Sequence, residues 1–231
     1  MSKILFVLTG ADRWTLADGT AHPTGFWAEE AVVPYRALKA AGHEIVVATP
    51  GGVVPTIDRA SLAPEFNGGQ EGAEEIARAL DGMAELREPV KLAEVDLDDF
   101  AAVFYPGGHG PMEDLAVDAD SGRLLVAALD SGKPLAVVCH GPAALLAAVR
   151  ADGSNAFAGY RATAFTNEEE TQSGFAAQAR WLLQDRLTEA GVDLRVSAPW
   201  GPYVVVDRNL VTGQNPASSA PVAQELLKKL G

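Results

Sequence analysis

The feature that most constrains this chain is a set of short apolar runs with no polar alternation. They are Ile4-Leu-Phe-Val-Leu8, Glu44-Ile-Val-Val-Ala-Thr49, Ala101-Ala-Val-Phe-Tyr105 and Pro134-Leu-Ala-Val-Val138. A strand with one wet face alternates apolar and polar residues. A run without alternation is covered on both faces, as in a parallel sheet sandwiched between helices. Longer helical stretches separate the runs, at Phe26 to Ala41 (closed by Gly42), Ala143 to Val149 and about Ala217 to Leu230. That alternation of strand and helix points the same way. Near the end, Tyr203 to Val206 and Leu210 to Thr212 flank Asp207-Arg-Asn209, a turn signal that predicts a hairpin. The expected fold is α/β and doubly wound: a mostly parallel sheet with helices on both faces and a C-terminal β-hairpin, in one domain over residues 1–231.

Charge and cysteine count narrow the partners. The chain holds 18 Lys and Arg against 31 Asp and Glu, a formal charge of −13. Phosphate backbones and anionic membranes are repelled by such a surface, so neither nucleic acid nor a membrane is expected as partner. One cysteine in 231 residues cannot form an internal disulfide. The apolar run after Met1-Ser-Lys is too short for a signal peptide or a span. A cytoplasmic protein is the expectation.

Ligands of such sheets bind beyond the carboxyl ends of the strands, and the unusual residues fall there. The only cysteine sits in Ala136-Val-Val-Cys139-His140-Gly141-Pro142-Ala143, where a buried run meets a helical one. This is the layout of a nucleophile elbow, and a helix N-terminus there would favour the thiolate. Cys139 is the candidate nucleophile. His140 beside it is a titratable base near neutral pH. Tyr105-Pro106-Gly107-Gly108-His109-Gly110 follows another strand end, where Gly107 and Gly108 can turn backbone N–H groups toward an oxyanion. His109 is either a ligand contact or a turn residue. A catalytic imidazole needs an orienting partner. Glu168, Glu169 and Glu170 offer three carboxylates, of which at most one belongs in the site. On the first helix, Glu30 shares a face with Phe26, Trp27 and Val33, so burial would raise its pKa; Glu29 groups with Val32 and Val33. Trp200-Gly201-Pro202-Tyr203 and Asn215-Pro-Ala-Ser218 read as loops at the same level. Four scattered histidines and one cysteine show no metal-ligand spacing, and no Walker loop or GxGxxG is present, so neither metal nor cofactor is expected.

These segments resemble the ThiJ/PfpI superfamily, whose fold is flavodoxin-like and shared with class I glutamine amidotransferases. The similarity is closer to its heat-shock-chaperone/glyoxalase III branch. It rests on Lys3 to Thr9, on Pro23-Thr-Gly25 with Glu30 and Pro34, and on Gly107-Gly-His-Gly110. It also rests on Val137-Val-Cys-His-Gly-Pro142, on Phe165-Thr166 with Glu170, and on Val211-Thr-Gly-Gln-Asn-Pro-Ala-Ser218. The resemblance implies a Cys139–His140–Glu170 triad with Glu30 close to the sulfur, while Asn167-Glu-Glu169 leaves Glu168 or Glu169 open as the third member. Residues Ile57 to Ala93 carry only part of the usual insert. The implied activity is glutathione- and cofactor-independent conversion of methylglyoxal, a small reactive aldehyde, to D-lactate, in a homodimer. Alternatives are a stress-response holdase or protein deglycase with Cys139 as redox sensor, and a cysteine hydrolase or amidase.

Overall fold

The computed structural model describes residues 2–231. Strand β1 (Lys3–Val7) is followed by a small antiparallel pair, β2 (Arg13–Thr15) and β3 (Ala21–Pro23), within a segment that reads as a polar loop. Then come α1 (Ala28–Ala40), β4 (Glu44–Thr49), α2 (Gln70–Gly82) and the two-residue β5 (Val90–Lys91). The central part holds β6 (Ala102–Tyr105), α3 (Gly110–Glu113), α4 (Ala119–Asp130) and β7 (Leu135–Val138). The last third holds β8 (Arg161–Ala162), α5 (Asn167–Gln172), α6 (Leu183–Glu189), β9 (Asp193–Leu194), β10 (Val204–Asp207), β11 (Leu210–Gly213) and α7 (Ser219–Leu230).

The main sheet runs in the order β10-β11-β7-β6-β1-β4-β5. Every pairing in it is parallel except the β10–β11 hairpin. Its inner strands are the apolar runs: β6, β7 and β11 are buried at every residue, as is β1 after Lys3. The steps β1–α1–β4 and β6–α4–β7 travel in opposite directions across the sheet. Right-handed crossovers therefore place α1 and α4 on opposite faces. In agreement, α1 packs on α7, whereas α4 packs on the segment after β7. The neighbours β1 and β6 lie where the direction reverses, so the crevice of the fold opens at their carboxyl ends.

Three element boundaries differ from the sequence expectation, each for a local reason. Helix α1 begins at Ala28, not Phe26, because Phe26 is held extended: its N–H donates to the Thr56 carbonyl and it bridges Ile57. The segment expected to be helical over Ala143 to Val149 is a 3₁₀ helix, Gly141–Ala147, pressed against α4 so closely that a Cβ on Gly122 would lie 2.1 Å from the Ala147 carbonyl oxygen. Val149 lies outside it, exposed and bridged to Asn155. The last helix starts at Ser219, after a short turn over Pro216–Ser218. Among the described residues, no helix is long and apolar enough to cross a membrane.

Candidate active site

The Gly-rich turn after β6, the elbow after β7 and the start of α1 meet at the sheet's carboxyl edge. Cys139 has φ 59°, in the left-handed region that a non-glycine side chain seldom occupies. The strained residue is held from both sides: its N–H donates to the Gly213 carbonyl at 3.0 Å, and its carbonyl accepts from Phe165 N–H at 2.9 Å. The turn from β6 approaches so tightly that a Cβ on Gly107 would lie 2.6 Å from the His140 nitrogen and 2.8 Å from Glu30 Oε2. Only glycine fits there.

Of the three consecutive glutamates, each does something different. Glu168 is exposed and accepts only from Gln172. Glu169 closes a capping box with Thr166 at the start of α5 and also accepts from Trp200 N–H, Gln214 and Asn215, so its oxygens are fully engaged. Glu170 turns inward. Its Oε2 accepts from His140 Nε2 at 2.7 Å and its Oε1 from His109 Nε2 at 2.8 Å. Burial alone would raise the Glu170 carboxyl, but the two imidazoles, by charge and hydrogen bond, hold it well below the usual carboxylate range. An ionised carboxylate only accepts, so each Nε2 carries a proton and each Nδ1 is left as an acceptor. His140 Nδ1 then faces the Cys139 sulfur at 3.3 Å.

Glu30 also reaches the sulfur and is completely buried. Its Oε2 accepts from Gly107 N–H at 2.7 Å. Its Oε1 has no conventional partner, and the carboxyl interacts with the Cys139 sulfur. Burial pushes its pKa up to about 8, partly offset by the bonds from Cys139 and Gly107. Glu30 is thus a neutral acid at pH 7, able to donate to sulfur. Glu29, one residue earlier, is half-buried at the cavity wall, its carboxyl raised by burial.

The expectation that a helix N-terminus lowers the thiol pKa does not survive. The helix following the elbow is a short 3₁₀ turn whose N-cap is His140, and Cys139 is buried. Burial pushes the Cys139 thiol up, and an ionised Glu30 would push it further, which the protonated Glu30 avoids; the Gly108 N–H opposes the rise. Gly107 N–H is spent on Glu30, which leaves Gly108 N–H as the donor directed at the sulfur.

Of the aromatic residues around the site, Trp14 and Phe175 carry no sequence signal, whereas Phe165 belongs to a family-like segment and Trp200 to a loop expected at this level. Trp14, on the small β2–β3 pair, stacks on His109 with ring centroids 4.4 Å apart and planes 11° apart. Phe175 lies against the same imidazole at 5.2 Å, and Phe165 against His140 at 4.3 Å. Trp200, with φ 63°, stands over Phe165. Phe165, Phe175 and Trp200, with Trp27 and Phe66, line a cavity of about 620 Å³ whose floor is Cys139, His140, His109 and Gly108, while Trp14 stands behind His109 and outside that lining. His109, His140 and Glu170 offer ligand atoms within 4.8 Å of one another, the donor set of a divalent-cation site. Both Nε2 atoms are, however, already bonded to Glu170, and the thiol lies across the His140 ring from them. The arrangement is that of a proton network.

Comparison with known proteins identifies the family. The DJ-1/PfpI family model matches residues 22–229. The chain belongs to the DJ-1/PfpI family. Among family relatives, a protein/nucleic acid deglycase HchA of Staphylococcus aureus is 27% identical over 229 residues, covering 94% of this chain and 76% of that protein. A glutamine amidotransferase-like class 1 domain-containing protein 1 of Bos taurus is 35% identical over 139 residues. That alignment spans 60% of this chain and 63% of the relative. Among solved structures, glyoxalase III of Candida albicans superposes with a TM-score of 0.82 at 25% identity, covering 99% of this chain and 97% of that one. The rapid encystment protein of Francisella tularensis reaches a TM-score of 0.87 at 25% identity over 100% of both chains. The DJ-1/PfpI fold and the branch holding HchA and glyoxalase III are therefore those expected from the sequence.

Proposed function

We propose that the protein is a glutathione-independent glyoxalase that converts methylglyoxal and water to D-lactate. The observation that carries this reading is the pairing at one sulfur of a neutral carboxylic acid with an imidazole held by an ionised carboxylate. The buried thiol gives its proton to His140 Nδ1 as the sulfur attacks the aldehyde carbon. Glu30 supplies a hydrogen bond to the developing thiolate in place of water, and Gly108 N–H serves the developing oxyanion beside the sulfur; Gly107 N–H, expected to share that task, is instead bonded to Glu30. His140 returns the thiol's proton to the oxyanion, giving the hemithioacetal, and then, oriented by Glu170, moves a proton from the former aldehyde carbon to its neighbour through an enediol. The thioester that results is hydrolysed to the acid, which frees the thiol.

A deglycase reading is favoured by one feature: the cavity of about 620 Å³ is far larger than a three-carbon aldehyde needs. A sugar- or aldehyde-modified side chain entering past Trp27 and Trp200 would use the same sulfur. In either reading we assign the activity to a single domain over residues 1–231, working in the cytoplasm as a homodimer. A lone free thiol suits a reducing compartment. The exposed Val53, Val54 and Val90 beside the β5 edge suit a subunit contact.

The test is incubation of the purified protein with methylglyoxal in the absence of added thiol, with D-lactate measured enzymatically. The wild type should form D-lactate, and Cys139→Ala and Cys139→Ser should form none while keeping the wild-type circular dichroism. Undiminished conversion by Cys139→Ala ends the proposal. Release of free amine from methylglyoxal-modified peptide, without D-lactate from the free aldehyde, selects the deglycase reading.

A further inference from the structure

Glu170 is shared by two imidazoles, and the transfer within the substrate needs only one. His140 spends Nε2 on Glu170 and Nδ1 on the sulfur, so both of its nitrogens are occupied. His109 spends only Nε2. Its Nδ1 has no protein partner among the described residues, yet it is not an orphaned buried atom, and the ring forms part of the cavity floor beside Cys139. The two rings lie 4.2 Å apart by centroid, close enough to serve one bound molecule. Stacking on Trp14 and contact with Phe175 fix the plane of His109, and Glu170 fixes its tautomer. A ring so held presents a lone pair in a constant direction.

We infer that His109 is the general base of deacylation, acting through Nδ1 on the water that hydrolyses the Cys139 thioester. The inference rests on the thioester of the proposed reaction. Water oxygen bonds to the thioester carbonyl carbon while its proton passes to His109 Nδ1. The carbonyl electron pair moves onto oxygen, and on collapse the carbon–sulfur bond breaks with its pair remaining on sulfur. The proton held by His109 returns through cavity water to the sulfur, so the net change is addition of water across the carbon–sulfur bond. Burial and the neighbouring His140 lower the His109 pKa below the ordinary imidazole value, which keeps the ring neutral and basic at pH 7. One carboxylate thereby orients two bases for two successive steps.

The test uses p-nitrophenyl acetate, which acylates a cysteine without any glyoxalase chemistry. Wild-type enzyme should show a burst of p-nitrophenol and then steady deacylation, with acetyl-Cys139 seen by intact mass. His109→Asn should keep the burst and slow deacylation by about 10²-fold, so that the acyl-enzyme accumulates. Wild-type deacylation should rise with pH through a pKa below about 6.5, the ordinary imidazole value, and His109→Asn should lack that limb. His109→Gln, which retains a donor for Glu170 Oε1, should behave as His109→Asn does, and added imidazole should restore deacylation in His109→Ala. A purely orienting role would instead let His109→Gln rescue and would weaken burst and deacylation together. That result overturns the inference, as does wild-type deacylation in His109→Asn or the absence of any wild-type acyl-enzyme. Failure to make D-lactate from methylglyoxal with deacylation still dependent on His109 would count against the proposed substrate alone.

Discussion

The α1 side and the α5 side of the cavity each bring one buried glutamate to the site, one to the sulfur and one to the imidazoles beside it, and they hold the two in opposite states. Glu30 on α1 receives one backbone N–H and no counter-charge, so burial prevails and it stays protonated up to about pH 8. Glu170 on α5 is almost as buried, but two imidazoles donate to it and it remains ionised. Identity of the side chain decides nothing here; the donors around it do. The difference lets one site hold a hydrogen-bond donor and an acceptor-only anion within a few residues' reach of one thiol.

Breaking the α5 side should have the largest effect. Glu170→Gln cannot accept from both imidazoles, so kcat/KM for methylglyoxal should fall by about 10²–10³-fold, with the thiol still present by mass and titration. On the α1 side, Glu30→Leu removes the donor and leaves the thiolate unsolvated. Its turnover should fall by about 10²-fold, and its thiol pKa, read from the pH dependence of alkylation, should rise. Glu30→Gln keeps a donor, so its loss should be nearer tenfold. Equal damage by Gln on the two sides would erase the distinction drawn between them.

The same contrast has a signature in stability against pH. Glu30 has its folded pKa raised, from an ordinary 4.5 to about 8, so the folded chain binds a proton that the unfolded chain gives up between those values. Its contribution is whole below pH 4.5 and is lost as pH rises through about 8. Glu170 is lowered, so its contribution is present above pH 4.5 and is lost as pH falls below that value. Between pH 5 and 8 the wild type should lose on the order of a few kcal/mol relative to Glu30→Gln in parallel denaturant titrations. A constant offset across that range would place Glu30 in the ionised state. The smallest effects belong to the neighbours: Glu29→Gln and Glu168→Gln should each change turnover by about twofold or less, as expected of carboxylates at the wall and outside.

Sequence showed most of the sheet and the corner that carries the sulfur, because non-alternating apolar runs and Pro/Gly breaks are local signals. The two-residue β5 and the β2–β3 pair carry no such pattern, and with them Trp14, which fixes His109, stayed hidden. Glu30 and Glu29 share similar helical neighbours; what separates them is which faces the elbow, a tertiary fact. Among Glu168, Glu169 and Glu170 a local signal did exist. Thr166-Asn-Glu-Glu169 has the spacing of a capping box, which commits Glu169 to the helix start. The sharing of Glu170 by His109 and His140 joins segments 61 and 30 residues away, and no spacing rule reaches that far.

Infrared difference spectroscopy at pH 6 tests the contrast most directly. Wild type minus Glu30→Gln should contain the carbonyl stretch of a protonated carboxylic acid, and wild type minus Glu170→Gln should contain only carboxylate bands. A carboxylate signature for Glu30 together with a protonated one for Glu170 would contradict the account.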